Sequence, residues 1–246
     1  MIQTMNYKVN YIYFILYKIY MKVLELFSGT HSIGKVAKEM FNFDVVSLDR
    51  DLDAKSKIYD YTSPHHIKCD IMTWDYKKDF EKGHFDIITA SPVCCLWSIL
   101  RNCWIGRKFK NGEIVTKEVL QRDIDLYGKP MVDKVFEIIE YFEPKYYWIE
   151  NPQSSKMWNY IKSKWDFGDD ERFLNFDYCL FSDWGYKKPT TFLTNIPNVQ
   201  SKKCKNNCEN MKDKTKHRVR IDKTKSRYER YRIPSKIIEY LFENCI

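Results

Sequence analysis

Short apolar runs alternate with amphipathic stretches from residue 22 to the end of the chain. Apolar runs bounded by turn residues are typical of buried strands, whereas apolar residues three and four apart indicate helices. This pattern predicts strands at 22–27, 43–49, 66–71, 85–91, 145–151, 176–181 and 190–194, and helices at 32–40, 131–142, after Pro152 and at 234–242. The order predicts an α/β fold with a doubly wound, mostly parallel, Rossmann-like sheet.

Two stretches interrupt this order, 96–129 and 195–227. We interpret the first as a mobile active-site loop and the second as a small inserted recognition segment. The remaining pattern fills one domain over residues 21–246, and residues 1–20 form an N-terminal extension. The apolar stretch 11–17 of this extension is too short to span a bilayer. No cleavage site of small residues follows it, so we expect either an extra packed helix or a leader before a start at Met21.

Positive charge is concentrated in the second of these stretches. The chain of 246 residues has a formal net charge of +8, and from Lys202 to Arg232 it carries thirteen Lys and Arg against four Asp and Glu. Such a segment suits a polyanion such as nucleic acid, because neutralised phosphates release their counterions. A solvated lysine-rich loop has the same composition, so charge alone leaves both interpretations open.

Eight cysteines occur without a convincing secretion signal. We therefore expect reduced thiols in a soluble, intracellular protein, with no membrane and no obligate protein partner. Cys204, Cys208 and His217 have the chemistry of zinc ligands. No fourth ligand is evident and the spacing matches no common zinc motif, so incidental cysteines are favoured and no metal is predicted.

Polar residues and a glycine follow the predicted strands where ligands bind in such sheets, beyond the carboxyl ends. Ser28 and Gly29 form a turn after the first strand, and a tight turn lets backbone amides approach a ligand. Asp49 ends the second strand, where a carboxylate accepts hydrogen bonds from ribose hydroxyls, and Asp70 is placed to accept from an adenine amino group. Each alone is explained as a cap or turn residue. Together they predict a nucleoside-containing cofactor.

Two further strand ends carry groups suited to nucleophilic chemistry. Cys94 follows the strand at 85–91, where a thiol can meet a substrate, although a free cysteine is also a small buried hydrophobe. Glu150 leaves an apolar strand into the same cleft, and partial desolvation would suit it to holding a proton. The alternative is that Glu150 and Asn151 start a helix, with Asn151 as its cap.

The segments LFSG at 26–29, SPVC at 91–94 and ENP at 150–152 occur in this order along the chain. In order and spacing they resemble the cytosine-C5 methyltransferase family. More specifically, the chain resembles compact viral and phage-type members, which carry a KPT segment, matched at 188–190, and a closing element, matched at 230–234. The similarity covers residues 22–243.

The resemblance implies transfer of a methyl group from S-adenosyl-L-methionine to C5 of cytosine in DNA. It implies that Cys94 attacks C6 of the base, that Glu150 stabilises the protonated N3, and that Asn151 places Glu150. A base in a duplex must then be flipped out of the stack. The cofactor residues would be Phe27, Ser28, Gly29, Thr30, Asp49, Asp70 and Pro92, and the nucleic-acid residues Ser98, Lys188, Thr190, Lys216, Arg218 and Arg220.

Several positions depart from the family pattern. Val93 stands where proline is usual, Cys95 where glutamine is common, and His31 and Ser32 where small glycines are common. These departures leave open a catalytically weakened member that only binds nucleic acid. RNA is a further alternative substrate, because a compact core with a basic segment does not reveal which sugar it meets. If the protein is viral, its compartment would be the cytoplasm or nucleus of a host cell.

Overall fold

The computed structural model describes residues 20–167, 172–224 and 226–246. Within these ranges one seven-stranded sheet has the order β3-β2-β1-β4-β5-β7-β6. Strands β1 to β5 are parallel, and β7 runs antiparallel to both β5 and β6. The predicted mostly parallel α/β sheet is confirmed. The strands are β1 (Lys22–Leu26), β2 (Asp44–Asp49), β3 (His65–Lys68), β4 (Ile87–Ala90), β5 (Tyr146–Pro152), β6 (Phe173–Asp177) and β7 (Pro189–Thr194).

Helices connect the strands and cover both faces of the sheet. The α-helices are α1 (Ser32–Phe41), α2 (Tyr76–Asp79), α3 (Lys117–Asp123), α4 (Lys129–Phe142), α5 (Met157–Lys164), α6 (Arg227–Tyr231) and α7 (Ser235–Glu243). Short 3-10 helices span Cys94–Leu96, Ile99–Trp104, Tyr178–Leu180 and Ile221–Lys223, and Ile124–Gly128 forms a π-helical turn. The three helices predicted at 32–40, 131–142 and 234–242 correspond to α1, α4 and α7.

The core consists of two apolar clusters, one on each face of the sheet. Successive side chains of a strand point to opposite faces, so Val23 joins one cluster and Leu24 the other. The Val23 cluster includes residues of α1 and α7, and the Leu24 cluster includes residues of α4 and α5. Burial on both faces explains why the strands appear in the sequence as continuous apolar runs.

The structure differs from the sequence-based prediction at β6. A strand was predicted at 176–181, but β6 is Phe173–Asp177 and the next residues form the 3-10 turn Tyr178–Leu180. Both Tyr178 and Cys179 are buried in this turn. A short buried apolar run has the same signature in a strand and in a tight turn, which accounts for the error.

The two interrupting stretches differ in regularity. The segment 96–129 contains the 3-10 helix Ile99–Trp104, the helix α3 and the π-turn, so it is more regular than the predicted loop; its mobility stays a prediction. Among the described residues of 195–227, the assigned elements are Ile221–Lys223 and the first residue of α6. We call these stretches the active-site segment (96–129) and the basic segment (195–227).

The predicted N-terminal extension lies almost entirely outside the described residues, which begin at Tyr20. No prediction about residues 1–19 is therefore tested. In the ranges that the structure does describe, no helix has both the length and the apolar character needed to cross a membrane.

Candidate active site

The turn that follows β1 has an unusual backbone. Phe27, Gly29 and His31 all adopt positive φ, at 57°, 55° and 58°. Only glycine reaches this region without a steric cost, so Phe27 and His31 adopt it at some cost in conformational energy. The strained turn is held by β2, because the N–H of Ser28 donates to the carbonyl of Leu48 at 3.0 Å.

Asp49 connects this turn to the loop after β2. Its Oδ2 accepts the N–H of Gly29 at 3.0 Å, and its Oδ1 accepts the N–H groups of Asp51 and Leu52 at 2.9 and 3.0 Å. Asp70 lies beyond the neighbouring strand β3, two residues after its end. The predicted cofactor carboxylates therefore lie at adjacent strand ends, and Asp49 organises two loops there.

Asp70 has its own set of partners. Its Oδ1 accepts the N–H of Met72 at 3.0 Å, and its Oδ2 lies 3.3 Å from the guanidinium of Arg50. Both groups are partly exposed, so the ion pair is screened by water and contributes little to stability. The Asp70 carboxylate is therefore accessible to a ligand at the carboxyl ends of the strands.

Glu25 is a buried carboxylate that the sequence analysis missed. It lies in β1, is 2% exposed, and its Oε1 accepts the N–H groups of Ile33 and Gly34 at 3.2 and 3.1 Å. The hydroxyl of Ser47 donates to Oε2 at 2.9 Å. These bonds satisfy free donors at the start of α1, where a negative charge is also favoured by the helix dipole. A charged residue inside an apolar strand was the available signal.

His31 packs beside this carboxylate and is completely buried. Its Nδ1 lies 3.7 Å from Oε2 of Glu25, and its Nε2 lies 2.9 Å from the carbonyl of Asp53. Burial acts to lower the pKa of His31, but the hydrogen bond and charge of Glu25 outweigh it and the pKa is raised. The imidazole is therefore packed between the Glu25 carboxylate and the backbone of Asp53.

The turn also presents a free polar group that fits the predicted nucleoside cofactor. The Oγ of Ser28 is buried and has no hydrogen-bond partner within the described ranges. A buried hydroxyl without a partner is costly unless a ligand satisfies it. The neighbouring Thr30 is buried and held by Ser32 at 2.9 Å and by Ser56, whose hydroxyl donates to its carbonyl at 2.7 Å.

Cys94 begins the 3-10 helix that follows β4, and it is half-buried, whereas Cys95 is exposed. Burial raises the pKa of the Cys94 thiol, the charge of Glu150 raises it further, and the ammonium of Lys188 opposes both. The charges of Glu150 and Lys188 therefore act on this thiol, and the pairing of Ala90 with Ile149 places Cys94 and Glu150 at neighbouring strand ends. The structure thus brings together the predicted nucleophile and the predicted acid.

Val93, immediately before Cys94, keeps the backbone that proline would impose. Its φ is −53° and its ψ is 106°, within the range that a proline ring allows. Its side chain is 38% exposed, so the branched valine is not forced into a crowded interior. The backbone at position 93 therefore has a φ that proline could also adopt.

Glu150 lies within β5 with 6% of its surface exposed. The hydroxyl of Tyr178 donates to its Oε1 at 3.1 Å, and Nζ of Lys188 is 3.7 Å from the same oxygen. Burial, followed by the charge of Glu150, raises the pKa of Tyr178 well above its ordinary value, so the phenol keeps its proton and stays a donor. Tyr178 was not predicted as a site residue, because it lay inside a predicted strand.

Lys188 and Thr190 connect β7 to this cluster. Nζ of Lys188 donates to the carbonyl of Arg230 at 3.0 Å and lies 4.8 Å from the centre of the Tyr178 ring. Thr190 is fully buried, and its hydroxyl donates to the carbonyl of Lys188 at 3.3 Å. Because Thr190 pairs with Pro152 across the two strands, the segments 150–152, 188–190 and 230–234 meet at one place.

Asn151 joins the end of β5 to the loop that carries Cys94. Its Nδ2 donates to the carbonyl of Pro92 at 2.7 Å. The helix after β5 begins only at Met157, with Lys156 before it, so the alternative that Asn151 caps a helix is wrong. The Oδ1 of Asn151 is buried and, among the residues described, has no partner. Asn151 therefore links the end of β5 to the backbone of Pro92 and keeps one buried acceptor unsatisfied.

Ser98 lies near the start of the active-site segment, and its Oγ accepts the N–H of Leu100 at 3.2 Å. Trp97 anchors the segment, because it is buried against Gly128 and its carbonyl accepts the N–H of Lys156 at 3.1 Å. Beyond this anchor the apolar side chain of Leu100 is 75% exposed. Further exposed apolar residues of the segment are Ile99, Trp104 and Ile105.

The predicted nucleic-acid residues of the basic segment lie at the surface. Lys216, Arg218 and Arg220 are exposed, and Arg220 pairs with Asp222 at 2.9 Å. Arg218 donates to the carbonyl of Glu209. The backbone beside it is fixed, because the N–H of Val219 donates to the carbonyl of Gly185 at 2.8 Å. The structure also gathers Cys204, Cys208 and His217, together with Cys179, which the sequence analysis did not include.

Comparison with known proteins gives one informative relative. No protein-family model matches the chain. The sequence is 35% identical over 238 residues to the probable DNA (cytosine-5)-methyltransferase of Frog virus 3 (isolate Goorha), covering 92% of this chain and 100% of the viral protein. Among solved structures, a SAM dependent methyltransferase from Archaeoglobus fulgidus is 14% identical, with a TM-score of 0.32 over 57% of this chain and 48% of that one. An antibiotic related methyltransferase is 14% identical, with a TM-score of 0.37 over 71% and 87% of the two chains.

Proposed function

Because the chain belongs to the DNA (cytosine-5)-methyltransferase family, we propose that it methylates C5 of cytosine in DNA through a covalent bond between Cys94 and C6 of the base. The observation that carries this proposal is the buried Glu150. Its Oε1 accepts a hydrogen bond from the hydroxyl of Tyr178 and lies 3.7 Å from Nζ of Lys188, and both charges act on Cys94. A thiol, a held carboxylate and an ammonium are the groups that activation of cytosine requires.

The proposed reaction begins at Cys94. Its sulfur adds to C6, forming the S–C6 bond, while the thiol proton is transferred to N3, which then donates a hydrogen bond to the Glu150 carboxylate. This addition removes the aromaticity of the ring and makes C5 nucleophilic. When bound, S-adenosylmethionine supplies an electrophilic methyl group for the new C5–CH3 bond. Water then accepts the C5 proton, the S–C6 bond breaks, and the N3 proton returns to Cys94, which restores the aromatic ring and the free thiol.

The neighbours of Glu150 have separate tasks in this scheme. Tyr178 and Lys188 contact the same oxygen of Glu150 and hold the side chain in place, so that it can accept the hydrogen bond from protonated N3. Lys188 also acts on Cys94, because its positive charge lowers the pKa of a thiol that burial and Glu150 raise. Asn151 holds the carbonyl of Pro92 and thereby directs the backbone that carries Cys94.

We assign the cofactor to the turn after β1 and the neighbouring strand ends. Ser28 offers a buried hydroxyl without a partner, and the positive-φ turn around Gly29 brings its backbone close to a ligand. Asp49 and Asp70 lie at the ends of β2 and β3, in the order suited to ribose and then adenine. Phe27, Thr30 and Pro92 complete the lining of this proposed pocket.

DNA would approach from the side of the active-site segment and the basic segment. Lys216, Arg218 and Arg220 are exposed cations suited to phosphate contacts. The exposed apolar side chains beginning at Leu100 are suited to filling the space that a flipped cytosine leaves in the duplex. We also assign Ser98, Lys188 and Thr190 to the nucleic-acid contacts.

The test is a methyl-transfer assay with S-adenosylmethionine carrying a labelled methyl group. Duplex DNA and a folded tRNA are compared as substrates, and the products are digested to nucleosides and separated. We expect label in 5-methyldeoxycytidine from the DNA and its loss in the Cys94→Ala variant. If label appeared only in 5-methylcytidine from the tRNA, the substrate would be RNA instead of DNA. Label in another nucleoside, or in neither nucleic acid, would overturn the proposal.

A further inference from the structure

Three thiols and one imidazole converge beside the basic segment. They are contributed by Cys179 in the 3-10 turn after β6, by Cys204 and Cys208, and by His217. Their ligand atoms all lie within 4.8 Å of one another. Cys179 and Cys204 are buried, and the other two side chains are half-buried. A cluster of four such atoms from separate parts of the chain is far more specific than the spacing of Cys204 and Cys208 alone.

The distances from the imidazole to two of the thiols match those of a tetrahedral metal site. The Nε2 of His217 lies 3.4 Å from Sγ of Cys208 and 3.7 Å from Sγ of Cys204. Bond lengths of about 2.3 Å to sulfur and about 2.0–2.1 Å to nitrogen place a sulfur and a nitrogen about 3.6 Å apart around a tetrahedral zinc ion. These three atoms therefore need to move little to bind one metal ion.

The backbone around Cys204 is held by a tight turn and by a hydrogen bond to a buried carboxylate. Asn206 adopts a φ of 59°, which turns the chain tightly between the two cysteines. The N–H of Cys204 itself donates to Oδ2 of the buried Asp177 at 2.7 Å.

We propose that Cys179, Cys204, Cys208 and His217 bind one Zn²⁺ ion as a structural site. Thiolates with one imidazole favour zinc among the common cellular metals, and four protein ligands leave no open position for a substrate. The proposal accounts for the concentration of thiols in a segment that otherwise has few apolar residues to hold it together.

The proposed ion would fasten the basic segment to the sheet. Between its ligands the chain includes Asn210, a buried residue whose Nδ2 donates to the carbonyls of Cys179 and Ser182 at 2.8 and 2.6 Å. The carbonyl of Asn210 accepts the N–H of Arg218 at 2.9 Å. Because Arg218 directly follows His217, the zinc site would fix the exposed cations relative to the sheet that carries the catalytic cleft.

The proposed zinc site is also adjacent in sequence to a residue of the candidate active site. Cys179 directly follows Tyr178, the residue that donates to Glu150. Binding at Cys179 would therefore restrain the 3-10 turn that positions this phenol. Zinc would act on the active site only through this restraint, since its four ligands are all distinct from the residues assigned to chemistry.

The experiment measures metal in the full chain, purified without a histidine tag from cells supplied with zinc. We expect about one zinc per chain by elemental analysis. Cys204→Ser and Cys208→Ser should each reduce this content at least tenfold, whereas Cys103→Ser, at an exposed thiol outside the cluster, should retain it. Retention of zinc by both cluster variants, or its loss from Cys103→Ser, would overturn the assignment.

A second measurement uses the unaltered chain and so does not depend on whether the variants fold. Zinc is removed with a chelator under reducing conditions and replaced by Co²⁺, for which we expect the intense near-ultraviolet absorption of cobalt–thiolate bonds. A chain without zinc and without this absorption would overturn the proposal, as would a disulfide among these cysteines in the freshly purified protein. Neither measurement uses DNA or a methyl donor, so failure here is distinguishable from failure of the proposed methyl transfer.

Discussion

The hydroxyl of Tyr178 donates a 3.1 Å hydrogen bond to Oε1 of Glu150 across the end of the sheet. Tyr178 comes from the turn after β6, whereas Glu150 lies in β5, and β7 separates these two strands. Both side chains are buried, so the bond forms where water cannot replace it. Glu150 is thus held in one orientation before any substrate enters.

Replacing Tyr178 by phenylalanine should slow methyl transfer. A hydrogen bond to a charged group contributes about 1.5–3 kcal/mol, which corresponds to a fall in kcat of about 10- to 100-fold if it is needed in the transition state. Steady-state kinetics should show the loss in kcat, with little change in KM for the cofactor. Tyr186→Phe is the matched control, because it also removes a buried phenol that donates to a backbone carbonyl, that of Glu229. Equal kcat values for Tyr178→Phe and the unaltered enzyme would contradict the role of Tyr178.

Asn151→Asp should impair the loop that carries Cys94. The substitution replaces the Nδ2 donor to the Pro92 carbonyl by an oxygen, leaving two acceptors in contact. We expect a loss of about 1–3 kcal/mol in the free energy of unfolding and slower alkylation of Cys94.

The control for this variant is Asn195→Asp, which also removes an amide donor to a backbone carbonyl, that of Lys145 at 3.1 Å. It should destabilise the protein without altering Cys94. Thermal unfolding and mass-spectrometric alkylation measure the two effects. If both variants changed Cys94 reactivity equally, Asn151 would have no specific role in positioning it.

The proximity of Cys94 and Glu150 could be predicted from the sequence better than the contacts around them. Cys94 and Glu150 could be placed together because parallel strands present their carboxyl ends at one edge of a sheet. Tyr178 and Cys179 could not, because their positions depend on the antiparallel pairing of β6 and β7 and on a tight turn with the same apolar pattern as a strand. Pairing across distant strands leaves no local signature in the sequence.

The same limit explains the remaining omissions. Glu25 was visible as a charge within an apolar run, but its partners at the start of α1 appear only in the folded chain. The effect of Val93 could likewise be judged only from its φ, which remains accessible to proline. Composition located the basic segment, whereas the contact of its cysteines with Cys179 required the fold.

The reactivity of Cys94 should depend on pH through its neighbours. Burial and Glu150 raise the pKa of the thiol, so at any given pH its thiolate fraction is below that of an ordinary cysteine and grows as pH rises through the raised pKa. Lys188→Met removes the charge that opposes this shift and should move the alkylation profile to higher pH. Glu150→Gln should move it to lower pH.

Iodoacetamide alkylation followed by mass spectrometry, from pH about 6 to about 10, measures these profiles within one digest. The exposed Cys103 provides the internal reference, since neither variant should alter its profile. Movement of the Cys94 profile in the same direction for both variants would contradict the assigned electrostatics.

Leu100→Ser should weaken action on DNA without weakening the fold. Because the side chain is 75% exposed, its removal should change the free energy of unfolding by no more than about 0.5 kcal/mol. We expect at least a several-fold higher KM for duplex DNA and a smaller effect on single-stranded DNA, whose cytosines need no flipping. Met40→Ser, at an exposed residue of α1, is the control. The same KM in both variants would exclude Leu100 from the DNA surface.

The covalent bond at Cys94 is tested most directly by trapping it. The full chain is incubated with S-adenosylmethionine and duplex DNA containing 5-fluorocytosine, and the linked peptide is identified by mass spectrometry. Fluorine at C5 blocks the final proton loss, so the S–C6 bond persists. We predict an adduct at Cys94 that disappears in Cys94→Ala and survives in Cys95→Ala. An adduct at Cys95, or methylation of ordinary DNA by a Cys94→Ala enzyme, would contradict the assignment of the nucleophile.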